Sequence, residues 1–182
     1  MIKLLLTLFL LVQIGFADDK ARLFKLYNKG EYEKVCHQGF KLFQKNRRDE
    51  AFISLYAYSC LNSDYLDRLA TPIVMLKYSK DARANAAYLS AILMKKKLLY
   101  HALLDGYDVS EIKLPASSHI LSKVFDLFSQ NNKKSADGLY VLYDPQKDGY
   151  EYHLYLDRSE NIPKIVIEEY LDSILKQRHI YW

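Results

Sequence analysis

Two cysteines, four prolines, six glycines and one tryptophan are few for a chain of 182 residues. Two cysteines cannot build the dense disulfide framework of a small secreted domain. Cys36 has His37 beside it, but no second histidine and no Cys-x-x-Cys spacing completes a zinc set of three or four ligands. The other histidines, His101, His119, His153 and His179, are scattered. No glycine loop of phosphate-cradling spacing is present, nor a Gly-x-Ser-x-Gly elbow, nor a persuasive pair of carboxylates. The stretch Asp144-x-Gln-x-Asp148-Gly149 has the start of a calcium loop, but Pro145 intrudes and position twelve is Tyr155. A hairpin turn explains it better. No metal and no cofactor is expected. Charge is nearly balanced, with 26 basic and 22 acidic residues, and no basic cluster is dense enough for nucleic acid. The longest positive run, Lys95-Lys-Lys97, reads as solvated surface.

Long apolar runs are also lacking, except at the start. Met1-Ile-Lys3 is a short positive region, and the apolar run Leu4–Phe16 follows. Thirteen residues suit a signal peptide better than a membrane span. Gly15-Phe-Ala17 places small residues at the −3 and −1 positions before Asp18, so residues 1–17 are expected to be removed near Ala17. No cysteine follows to carry a lipid. The expected location is periplasmic or secreted, with no stable membrane span after cleavage.

Sixteen tyrosines and eight phenylalanines are what the chain does have, and aromatics stack well between helices. Helical spacing recurs over Asp18–Asn28, Glu31–Lys45, Asp49–Asn62, Asp64–Lys80 and Asp81–Lys96, the last continued by Leu98–Gly106. Gly30 offers a left-handed position where the first of these should stop, and Pro72 should kink or end the fourth. Cys36 and Cys60 lie equally far from the turn at Asn46–Asp49, so antiparallel helices would set them at one height. In an oxidising compartment that spacing predicts a disulfide.

The pair Glu31-Tyr32 returns as Asp64-Tyr65 after 33 residues, with Leu99 and Ala102 marking a third, weaker unit. Together with Gly30, Phe52 and Leu55, these positions make 22–106 resemble the tetratricopeptide repeats of an exported bacterial protein. The resemblance implies a groove lined by the first helix of each repeat. Carried over residue by residue, it points to Phe24, Tyr27 and Asn28, then Ile53, Ala57 and Leu61, then Ala91 and Lys95. Tyr27, Asn28, Ile53, Ala57, Leu61 and Lys95 are the candidate partner-binding residues.

Beyond Gly106 the pattern changes. Tyr107–Pro115 reads as loop, Ser117–Gln130 as a helix with a serine cap, and Asn131–Asp137 as a polar linker. Gly138–Tyr143 and Tyr150–Leu156 alternate at period two, the chain's one β-hairpin signal, with Leu139, Val141 and Tyr143 on one face. Ser159–Gln177 reads as a last amphipathic helix through Ile165, Ile167, Tyr170, Leu171 and Ile174. The expected fold is mainly α: a tetratricopeptide-like αα-hairpin array over 18–106, a helix and linker over 107–137, and a small α+β tail over 138–182. That tail would hold one β-hairpin and a C-terminal helix packed on the helical part.

The expected function is an exported scaffold or assembly adaptor, with another protein or peptide of the cell envelope as partner. A periplasmic enzyme or enzyme subunit, with its site between helices and tail, is the alternative. A third is a structural subunit that offers Leu139–Leu156 as an edge for strand addition.

Overall fold

The computed structural model describes residues 19–131 and 138–182; the expected leader and most of the polar linker lie outside them. The described residues divide into two units, the first ending at Asn85 and the second running from Ala86 to Trp182. No helix among the described residues is long and apolar enough to cross a membrane.

The first unit is helical. Helix α1 (19–28) is followed by α2 (Tyr32–Asn46), α3 (Glu50–Leu61), a short 3₁₀ turn (Leu66–Leu69) and α4 (Ala70–Met75). Helix α5 (Lys80–Asp105) begins in this unit and continues into the second. Helix α1 stops at Gly30, whose φ is +76°. Glu31 N–H reaches Leu26 O at 3.1 Å and Gly30 N–H reaches Tyr27 O at 2.9 Å, the paired bonds of a Schellman stop. The end of α3 repeats this geometry: Tyr65 N–H bonds Cys60 O, Asp64 N–H bonds Leu61 O, and Asp64 takes φ +66°. An aspartate tolerates the left-handed position because its short polar chain bonds locally. Pro72 sits in the first turn of α4, where a missing N–H costs little, so the helix runs on to Met75.

Helix α3 is the centre of this unit. Phe52, Ile53, Tyr56, Ala57, Ser59, Cys60 and Leu61 are all buried. Asp49 caps its start by accepting from Phe52 N–H at 3.1 Å. Gly39 of α2 lets the Tyr56 ring lie against the helix backbone; a Cβ there would fall 2.8 Å from Tyr56 Cδ2. The expected disulfide is present between Cys36 and Cys60, both fully buried.

The second unit overturns the expectation of a mainly α chain with a single hairpin. Helix α6 (Ile120–Gln130) precedes four antiparallel strands in the order β1-β2-β3-β4: Tyr140–Tyr143, Tyr150–Asp157, Lys164–Leu171 and Ile174–Tyr181. The molecule is α+β. The C-terminal helix expected over Ser159–Gln177 is instead the hairpin β3–β4. Its turn, Asp172-Ser173, has φ of +50° and +63° at two successive residues between the paired Leu171 and Ile174. Two left-handed residues in a two-residue loop match the twist of a hairpin. Ile165-Val-Ile167 ahead of it are β-branched and fully buried, which favours the pleated state. No regular repeat array extends into this unit, since the residues of the expected third repeat form the single uninterrupted helix α5.

Register corrects the β1 face as well. Tyr140 pairs with Leu154 and Leu142 with Tyr152, so Tyr140 and Leu142 share the covered face. Tyr143 is outside, 69% exposed, and Tyr140 packs edge-on against Phe128 of α6 at 5.0 Å. The cap of α6 is His119, whose Nδ1 accepts Leu121 N–H at 3.2 Å, rather than a serine. Asp144, almost fully buried, ties the β1–β2 loop to this helix: Lys123 Nζ lies 2.5 Å from it and Tyr152 donates to it at 3.1 Å. Burial pushes the Asp144 carboxyl up, but Lys123, Gln146 N–H and Tyr152 together hold it below its ordinary value.

Candidate functional site

Along one side of the helical unit, α1 and α3 leave an open apolar groove of about 530 Å³. Phe24 and Tyr27 line it from α1, and Phe52, Leu55 and Tyr58 from α3. Ala51 and Ser54 complete the α3 side at i, i+3, i+4 and i+7 spacing, which puts them on one face. Phe24 is 58% exposed, a large apolar ring left uncovered on a helix whose Leu23 is buried.

Few polar atoms line it. Tyr58 donates its hydroxyl to Asn85 Oδ1 at 3.0 Å, and Asn85 Nδ2 donates to Ser54 Oγ at 3.1 Å. Lys20, at the start of α1, pairs with Asp49 at the start of α3. Burial raises the Asp49 carboxyl, but Lys20 and the N–H groups of Phe52 and Ala51 outweigh it and hold the group below its ordinary value. This pair joins the two helices at one end of the groove. Tyr27 has its hydroxyl pushed up, first by burial and then by the nearby Tyr32. The two rings meet edge to face at 5.0 Å.

The residues proposed from sequence divide sharply. Tyr27 lines the groove, while Asn28, exposed at the end of α1, does not. Ile53, Ala57 and Leu61 are 2% exposed or less and belong to the core. They sit on the face of α3 turned away from the groove lining. Lys95 lies in the other unit and is fully buried, its Nζ donating to Ser122 Oγ at 2.8 Å and to Asp126 Oδ1 at 2.7 Å. Lys96 is buried too, donating to the Trp182 carbonyl oxygen. Two residues of the lysine run are therefore buried rather than solvated, and Lys97 alone is exposed. Leu55, Ser54 and Tyr58 were missed as groove residues because α3 is apolar on almost every side, so periodicity selects no face.

A second cluster lies on the uncovered face of the sheet. Glu168 accepts from the hydroxyls of Tyr155 and Tyr170 at 3.1 and 3.2 Å, and Arg178 Nε is 3.1 Å away. Arg178 also donates to Tyr155 Oη at 2.5 Å. These contacts tie β2, β3 and β4 together. Among the described residues no group of three or more His, Cys, Asp or Glu side chains could hold a metal ion.

No protein-family model matches the chain, and no curated protein and no solved structure matches it either.

Proposed function

We propose that this is an exported adaptor that captures an amphipathic helix of another envelope protein in the α1–α3 groove. One observation carries the reading: Phe24, Tyr27, Leu55 and Tyr58 form a continuous apolar lining that the described residues leave open. An uncovered apolar lining of this kind marks a binding surface. A helical occupant follows from the lining's chemistry. The groove offers almost no backbone or side-chain partners for an extended peptide, whereas a helix satisfies its own N–H and C=O groups.

Export is supported by the signal-like sequence before Asp18 and by the Cys36–Cys60 disulfide, a bond that persists in oxidising compartments. The recurrence of one helix stop 34 residues apart, at Gly30 and Asp64, supports a tetratricopeptide-like style of hairpin within α1–α3.

Photo-crosslinking in cells tests this. A photoreactive phenylalanine at position 24 is expected to give a discrete adduct that disappears with Leu55→Glu. The same probe at Lys41, an exposed residue of α2 outside the groove, is expected to give none. Equal labelling from both positions overturns the reading.

A further inference from the structure

The α2–α3 turn and the loop before α5 bring three cations together. Arg47, Arg48 and Lys77, with Met75 and Tyr78, line a pocket of about 250 Å³ in the helical unit. No lining residue is acidic, and no described carboxylate pairs with any of the three cations. The nearest carboxylates in the sequence are engaged elsewhere. Asp49 is held by Lys20. Glu50 accepts the backbone N–H groups of Lys77, Tyr78 and Ser79 at 2.9, 2.7 and 2.9 Å.

Those three bonds do more than occupy Glu50. They fasten the 77–79 loop to the start of α3, directly after Arg47 and Arg48 in the chain. Arg83 secures the loop again, donating to the carbonyls of Lys77 at 3.2 Å and Tyr78 at 2.6 Å. The loop is thus held by five hydrogen bonds, and its lysine is held beside two arginines. Like charges placed together repel, and an anion between them removes the repulsion. Two guanidinium groups and an ammonium suit a tetrahedral dianion better than a single carboxylate, because each arginine can grip two oxygens at once. The volume is smaller than the roughly 300–1,000 Å³ of sites for drug-sized ligands, so the pocket has room for one small group.

We propose that this pocket binds a phosphate group, either free or presented as a monoester on a lipid headgroup. The inference stands apart from the groove and shares no residue with it.

Titration calorimetry on the purified full chain in low salt tests the proposal, with inorganic phosphate as ligand and chloride as control. A parallel arm sediments the protein with vesicles containing phosphatidic acid, or phosphatidylcholine alone. Saturable binding of phosphate, or sedimentation with phosphatidic acid only, is expected. The first assigns a free anion and the second a headgroup. Either is expected to weaken at least about ten-fold in Arg47→Gln/Arg48→Gln, and also in Lys77→Gln, with an unchanged circular-dichroism spectrum. Lys41→Gln, outside the pocket, is expected to bind as the parent does. Absence of binding in both arms, or equal loss in Lys41→Gln, overturns the proposal.

Discussion

Single residues carry much of this molecule's specificity, and Glu50 is the clearest. The N–H of Tyr78 acts most strongly, and with the N–H groups of Ser79 and Lys77 it outweighs the opposing effect of burial and holds the carboxyl down at about 2. The ordinary value is 4.5. The ionised form is therefore bound more tightly in the folded chain than in the unfolded one. Its contribution is complete above the ordinary carboxyl range, and it fades as pH falls toward 2. Melting temperatures measured from pH 6 to pH 2.5 should fall more steeply for the parent than for Glu50→Gln. Lys95 gives a second prediction. Removing its partner in Asp126→Ala leaves a buried ammonium with only Ser122. This should lower stability by about 2 kcal/mol in urea titration, with Asp126's partial exposure softening the loss. Lys95→Met, which removes the charge itself, should be less damaging.

At the scale of elements, the β3–β4 turn is the place to intervene. Ser173 holds φ +63°, a strained conformation for any residue with a Cβ. Ser173→Gly should raise stability by about 1 kcal/mol, read from the denaturant midpoint, and Ser173→Val should lower it. Gly149→Ala should also destabilise, because the new Cβ would collide with the Asp172 carboxylate at φ +73°. This hairpin is also where sequence and structure part. Ile167, Tyr170, Leu171 and Ile174 fall at i, i+3, i+4 and i+7, a genuine helical stripe. The competing signal was the β-branched run at Ile165–Ile167 and a turn pair, Asp172-Ser173, without the glycine that normally announces such a loop. The helices of the first unit were legible because their ends carry local chemistry, the stop at Gly30 and the Asp49 cap that starts α3. The groove was only half legible. Phe24 and Tyr27 stand out on an amphipathic helix, whereas α3 is buried over most of its surface and its open face is set by what packs on it.

For the whole molecule, the disulfide and the sheet edge have separate consequences. Cys36 and Cys60 are 24 residues apart and both lie in the first unit, so reduction should act there. Thiol counting on denatured, unreduced protein should find no free thiol. Reduction should then lower the stability of that unit by about 3 kcal/mol, the loop-closure value. In hydrogen exchange, amides of α2 and α3 should speed up while those of β2 and β3 do not. Strand β4 is an outer strand of eight residues, with Ile174, Leu175 and Ile180 well exposed along it. Its ladder with β3 is broken once: Tyr170 pairs with Leu175 and Glu169 with Gln177, so Lys176 is an extra residue. A bulge bearing a lysine bends the edge and keeps a second strand from lying flat against it. Deleting Lys176 should leave the pairs on either side intact and produce association visible by light scattering. Encounters between chains grow with the square of their number. Losing that one inserted lysine should therefore lower the concentration at which neighbouring chains begin to zip together.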